Sequence, residues 1–117
     1  MKLHNILALL VAMAGLMGTP VHAQSDVAAA EKGKAAFVQN GCWQCHGFLG
    51  QGGVAGAKLA PEPKPLEYYN VFVRYSNGPM PPYSEKVLSK QDLSDIHAYL
   101  KSIPKGLDYK SIPLLSQ

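Results

Sequence analysis

Cys42-Trp43-Gln44-Cys45-His46 is the stretch that decides the fold. C-x-x-C-H is the attachment signature of a c-type haem. The two thiols add across the vinyl groups of the porphyrin as thioethers, and the two-residue gap lets both sulfurs reach one face. The imidazole beside the second cysteine is carried under the iron as the proximal ligand. Three other chemistries use such residues. A thioredoxin-like C-x-x-C expects a βαβ context, and no strand-helix alternation is visible here. A zinc site needs about four ligands, and the next histidine outside the leader is His97, without finger-type spacing. A disulfide or redox thiol pair stays open in an exported chain, but neither accounts for His46.

The surrounding chain fits export. Lys2 gives a short positive start, Ile6 to Met17 is an apolar run too short to span a bilayer, and Val21-His22-Ala23 offers a small-residue cleavage site. The expectation is a signal peptide over 1–23, no permanent membrane anchor, and a periplasmic protein. Removing 23 of 117 residues leaves 94, which is marginal for a core of side chains alone; a covalently held haem supplies the missing apolar centre. The remaining chain keeps ten basic and eight acidic residues, for a formal charge of +2. Its lysines are scattered, with no basic block of the kind that binds nucleic acid.

The patterning predicts helices separated by one irregular stretch. Residues 26–40 read as a helix capped by Ser25 or Asp26, rich in alanine and ended by Asn40-Gly41. Gly33 inside it costs up to about 1 kcal/mol against alanine, so another element should approach closely there. Residues 47–65, with five glycines and then three prolines, predict an ordered loop over a haem edge. Residues 66–76 have strand-like composition, yet Leu66, Tyr69 and Val73 share a helix face and Pro65 suits a first turn. The expectation is a helix. Residues 89–102 predict the clearest helix, with Ser89 and Asp92 forming a capping box, Leu93, Ile96, His97 and Leu100 on one face, and Pro104 as the stop. The domain is expected to run from 24 to 104, followed by an irregular tail over 105–117.

The second axial ligand decides what the iron does, since an open sixth position permits ligand binding and a methionine closes it for electron transfer. Outside the leader Met80 is the only methionine, within Gly78-Pro79-Met80-Pro81-Pro82-Tyr83. Prolines on both sides hold the backbone extended, a stiff strap able to keep the sulfur on the iron; a methionine that merely fills a turn is the alternative. His97 competes for the position from a regular helix. Arg74, the sole arginine, is either a forked donor to a haem propionate or a solvated helix residue.

On these residues the chain resembles the class I, small monohaem, cytochromes c over nearly all of 26–104. The resemblance rests on Cys42, Cys45 and His46, on Gly78-Pro79-Met80-Pro81, and on the two terminal helices. It implies an all-α fold of short helices around one covalent haem c, with the terminal helices crossed where Gly33, Phe37 and Tyr99 meet. It also implies a backbone carbonyl accepting the Nδ1 hydrogen of His46. Many members supply it from a Gly-Pro, and here Gly56-Ala57 stands instead, so the acceptor is Ala57 or a residue near Pro61. The Leu59-Ala60-Pro61 run and the Met-Pro-Pro-Tyr strap look like periplasmic bacterial members found beside dehydrogenases.

The resulting expectation is an electron carrier and not an enzyme. His46 and Met80 hold the iron, Cys42 and Cys45 hold the porphyrin, and Arg74 is a further contact. Lysines such as Lys34, Lys58 and Lys86 would steer transient docking. Its partners would be a dehydrogenase donor and an oxidase or another cytochrome as acceptor, the protein being a monomer. The alternatives are a cytochrome subunit of a larger dehydrogenase complex, suggested by the apolar Ile112 to Leu115, and a haem enzyme or sensor with a displaceable methionine.

Overall fold

The structure, a computed structural model, describes residues 21–115. Among them the chain forms four α-helices and no strand: α1 Val21–Gln39, α2 Cys42–His46, α3 Leu66–Tyr75 and α4 Lys90–Ser102, with a 3₁₀ turn at Tyr109–Ser111. Most of the leader expectation, residues 1–20, lies outside the described residues. No described helix is long and apolar enough to cross a membrane.

Helix α1 is longer than the spacing predicts. It already includes Val21, so neither Ser25 nor Asp26 stands at its start; the alanine-rich run favours helix on both sides of the expected cap. It ends as expected. Asn40 turns its side-chain amide back to the carbonyl of Ala36 at 2.8 Å, and Gly41 takes a left-handed φ of 72°.

Helices α1 and α4 cross at Gly33. A methyl group there would overlap the backbone carbonyl of Asp95 and lie 2.7 Å from the amide nitrogen of Ile96. The two backbones therefore touch, and no side chain larger than hydrogen fits. Phe37, one turn on, meets Tyr99 with ring centroids 5.8 Å apart and planes tilted by 57°, an arrangement aromatic rings prefer. Phe37 and Leu100 are each 1% exposed, and burial of each such side chain is worth roughly 1.5–3 kcal/mol. The core continues through Leu93 and Ile96 of α4, Tyr69 and Val73 of α3, and Leu88.

Helix α4 has the predicted start. The Ser89 hydroxyl accepts from the amide of Asp92 at 3.0 Å, and the Asp92 carboxylate accepts from the amide of Ser89 at 3.3 Å. Pro65 precedes α3 as its cap with ψ 149°, one position earlier than a first-turn residue. The loop over 47–65 is ordered, as expected. The carbonyl of Gly50 accepts from the amides of Leu59 and Ala60 at 2.7 and 2.9 Å, and Gly52 donates to the carbonyl of His46 at 2.8 Å. The tail departs from its expectation at the 3₁₀ turn, which Asp108 starts by accepting from the amide of Lys110 through its carboxylate.

Candidate functional site

Cys42 to His46 lie on a helical turn of their own. Glycines frame it: Gly41 enters at φ 72° and Gly47 leaves at φ 75°, ψ 157°. Both are left-handed conformations that side chains resist, and together they detach this short turn from α1 and from the loop. On a helix, residues three apart share a face, so the spacing of Cys42 and Cys45 sets both sulfurs on one side, with His46 next in the turn.

His46 is fixed by its far nitrogen. Its Nδ1 lies 2.7 Å from the carbonyl oxygen of Ala57. A carbonyl only accepts, so Nδ1 carries the hydrogen, and Nε2 of the neutral ring keeps a lone pair for a metal. Of the two acceptors left open by the sequence, Ala57 is the one used. Behind the ring there is no slack. A methyl group at Gly56 would stand 2.6 Å from the carbonyl oxygen of Cys45 and 3.0 Å from His46 Nδ1.

The two cysteines sit in unequal settings. Burial pushes the Cys42 thiol up to about 11, against a smaller opposing effect of a backbone hydrogen bond. Cys45 is exposed. Trp43, between them, is half-buried and stacks on Phe48 at 4.5 Å between centroids, with planes 11° apart. Phe48 was not singled out from sequence; an aromatic two residues past the histidine was the available signal.

Four hydrogen bonds tie down the Met80 strap. The Ser76 hydroxyl donates to the carbonyl of Met80 at 2.8 Å. The amide of Tyr83 donates to the carbonyl of Val73 at 2.9 Å, and Arg74 Nη1 donates to the carbonyl of Tyr83 at 2.8 Å. The Tyr83 hydroxyl then crosses to the carbonyl of Asn40 at 3.1 Å. Met80, Tyr83 and Cys42 all pack, partly buried, against the same core. Sequence reading assigned Tyr83 no role of its own; its place directly after Met-Pro-Pro was the available signal.

His97 is engaged elsewhere. Its Nε2 lies 2.9 Å from the carbonyl of Lys64 and its ring 5.8 Å from Tyr69. Nε2 therefore carries the hydrogen and is spent on that carbonyl, and only Nδ1 keeps a lone pair. Of the lysines expected at a haem edge, Lys34 lines a groove between α1 and α4 with Asp26, Glu31 and Lys101, while Lys58 is in the loop after His46.

These residues fit a haem. Among the described residues no group of three or more His, Cys, Asp or Glu side chains could hold a metal ion, which removes the zinc reading there; a single imidazole suits iron held chiefly by a porphyrin. Arg74 Nη2 is buried without a hydrogen-bond partner, a donor suited to a carboxylate from outside the chain. Helix α3 buries Tyr69 and Val73 but leaves Val71, Phe72 and Tyr75 uncovered by protein, apolar surface of the kind a porphyrin body requires.

The chain was compared with known proteins. Residues 28–100 match the family model described as cytochrome c oxidase, cbb3-type, subunit III. A protein of Corynebacterium diphtheriae named cytochrome bc1 complex cytochrome c subunit is 36% identical over 95 residues, covering 79% of this chain and 34% of its own. Its namesake in Corynebacterium efficiens is 34% identical over 95 residues, covering 79% and 32%. One in Mycobacterium tuberculosis is 36% identical over 63 residues, covering 51% and 22%. The chain thus spans about a third of the length of the corynebacterial relatives. No solved structure matches it. The match covers α2, α3 and nearly all of α4, and the all-helical fold agrees with it. The chain therefore belongs to the family described as cytochrome c oxidase, cbb3-type, subunit III, a family of c-type cytochromes, and is an electron-transfer protein whose cofactor is a covalently bound haem c.

Proposed function

We propose that the protein serves as the cytochrome c component of a larger respiratory assembly, passing single electrons within it. The observation that carries this is the 36% identity over 95 residues to a protein named as a subunit of a cytochrome bc1 complex. The relatives' names favour such a complex over a dehydrogenase, and over the free shuttle that sequence reading put first. Because the chain spans about a third of those relatives, the reading extends to the segment they share and not to their whole activity.

Within this reading each site residue has one task. Cys42 and Cys45 anchor the porphyrin through thioethers, so the cofactor stays attached through repeated turnover. His46, aligned by Ala57, presents Nε2 to the iron. Met80 would supply the second protein ligand to the iron, and its strap, held by Ser76, would keep the sulfur in place. Arg74 offers its buried Nη2 to a propionate. Haem c, when attached, supplies a one-electron couple. The protein works outside the cytoplasm, in the periplasm or its equivalent, as Lys2, the apolar run from Ile6 to Met17 and Val21-His22-Ala23 suggest.

The test is to solubilise membranes of the source cell in mild detergent, separate native complexes by size, and stain for covalent haem. Recovery of this chain with a large complex bearing other redox subunits supports the proposal. Recovery of all of it at the size of the isolated chain overturns it and leaves the free shuttle.

A further inference from the structure

Tyr83 spends every polar group it has on holding two parts of the molecule together. Its amide donates to Val73, its carbonyl accepts from Arg74 Nη1 at 2.8 Å, and its hydroxyl donates to the carbonyl of Asn40 at 3.1 Å. The first two bonds fasten the end of the Met80 strap to α3. The third reaches 43 residues back along the chain, to the residue before Gly41, where α1 hands over to the turn bearing Cys42 and Cys45. Tyr83, Met80 and Cys42 all pack, partly buried, against the same core.

We propose that Tyr83 is a positioning residue: its hydroxyl ties the Met80 strap to the haem-attachment turn and so holds Met80 in place as the sixth ligand. This rests on the reading of Met80 given above. The physical case is one of populations. A methionine on a loop leaves the iron when the loop swings out, and an incoming ligand binds only that open fraction, so its apparent affinity scales with how often the strap opens. The strap between Ser76 and Pro82 carries prolines at 79, 81 and 82, which stiffen it but donate no backbone hydrogen bonds. Its docking therefore falls to the polar residues around the prolines. Ser76 bonds the carbonyl of Met80, and Tyr83 fastens the far end. Of these, the bond to Asn40 alone joins the strap to the other side of the site.

The test uses the matured, ferric, full-length protein and imidazole as the competing ligand. Loss of the weak far-red sulfur-to-iron band reads displacement of Met80. In Tyr83→Phe the ring remains and only the hydroxyl bond is lost. The apparent affinity for imidazole is expected to rise by about threefold to tenfold, the population equivalent of one net hydrogen bond. Ser89→Ala is the comparison. It removes the α4 cap, lowers global stability by a similar amount, and leaves imidazole affinity within about twofold. Tyr83→Leu deletes the ring too, and the phenylalanine variant reads the hydroxyl even if the leucine one does not fold. The proposal is overturned if Tyr83→Phe binds imidazole like the wild type, or if Ser89→Ala gains as much affinity as Tyr83→Phe, because either result makes the tyrosine merely structural. A wild-type ferric spectrum without the band overturns Met80 ligation itself, and the positioning role with it.

Discussion

His46 Nδ1 and the carbonyl oxygen of Ala57 lie 2.7 Å apart, and the Cα of Gly56 sits against both His46 and Cys45 with no room for a side chain. The hydrogen bond sets the tautomer of His46 and, in its proposed role as proximal ligand, would strengthen it. The glycine is what lets the loop come close enough to make that bond.

Gly56→Ala should therefore act on the iron as well as on the fold. Its methyl would be 3.0 Å from Nδ1 and 2.6 Å from the Cys45 carbonyl, so the loop must retreat and the bond to Ala57 lengthen. A less basic imidazole favours the ferrous state. The reduction potential is expected to rise, with a loss of about 1–3 kcal/mol in stability from overpacking. Spectroelectrochemistry and a denaturant titration read the two effects; a lowered potential would contradict the argument.

Gly33→Ala tests the helix crossing. The obstacle is the backbone of Asp95 and Ile96, which cannot rotate away as a side chain can. The expected cost is about 3 kcal/mol, at the upper end of ordinary overpacking. Gly78→Ala, where an added methyl meets nothing within 4 Å, should change stability by less than about 0.5 kcal/mol. Denaturant midpoints of the two variants should separate clearly.

How much of this was legible in sequence depends on which chemical group carries each contact. Gly33 was legible because a glycine inside a helix is costly, and Phe37 and Tyr99 were waiting to explain it. Ser89 and Asp92 were legible because a capping box is local. Cysteines three apart with an adjacent histidine name their chemistry outright. Other features left no such trace. Asn40 acts through its backbone carbonyl, which every residue has, so its identity says nothing; Ala57 acts the same way and was legible only through the family resemblance. Tyr83 and Asn40 are 43 residues apart, and only the packed core brings them together. The helical turn of the attachment motif left no periodicity because its five residues are too few to register; Gly41 and Gly47, at positive φ on either end, were the available signal.

Alkaline pH should loosen the fold through its buried phenols. Burial raises the values of Tyr69, Tyr83 and Tyr99 above the ordinary tyrosine value. A phenol whose value is raised in the fold stabilises it fully below the unfolded value of about 10, and that contribution is lost as pH climbs through the folded value. Tyr99 also donates to the carbonyl of Phe48 at 2.8 Å. Tyr99→Phe should lose about 1 kcal/mol near neutral pH, the net worth of that bond. It should then decline less steeply than wild type above pH ~10, by at most ~1.4 kcal/mol per pH unit. Unfolding titrations across pH 7–11 give both slopes, and parallel slopes would rule out Tyr99 as a contributor.

Arg74 should tune the potential through a charge placed where solvent cannot screen it. One arm of its guanidinium holds the Tyr83 carbonyl, and the other, Nη2, is buried with no partner among the described residues. A forked cation suits this arrangement, since one arm can hold the strap while the other meets a propionate. A fixed positive charge near the iron favours the added electron, so its removal in Arg74→Gln should lower the potential by on the order of tens of millivolts, 59 mV being tenfold in a one-electron equilibrium. Arg74→Lys keeps the charge without the fork and should fall between wild type and Arg74→Gln. Because the interaction is buried, the drop should persist from low to high salt, where a surface charge would be screened. A potential unchanged in Arg74→Gln, or a difference that vanishes in salt, would return Arg74 to the solvated helix face that the sequence left as its other reading.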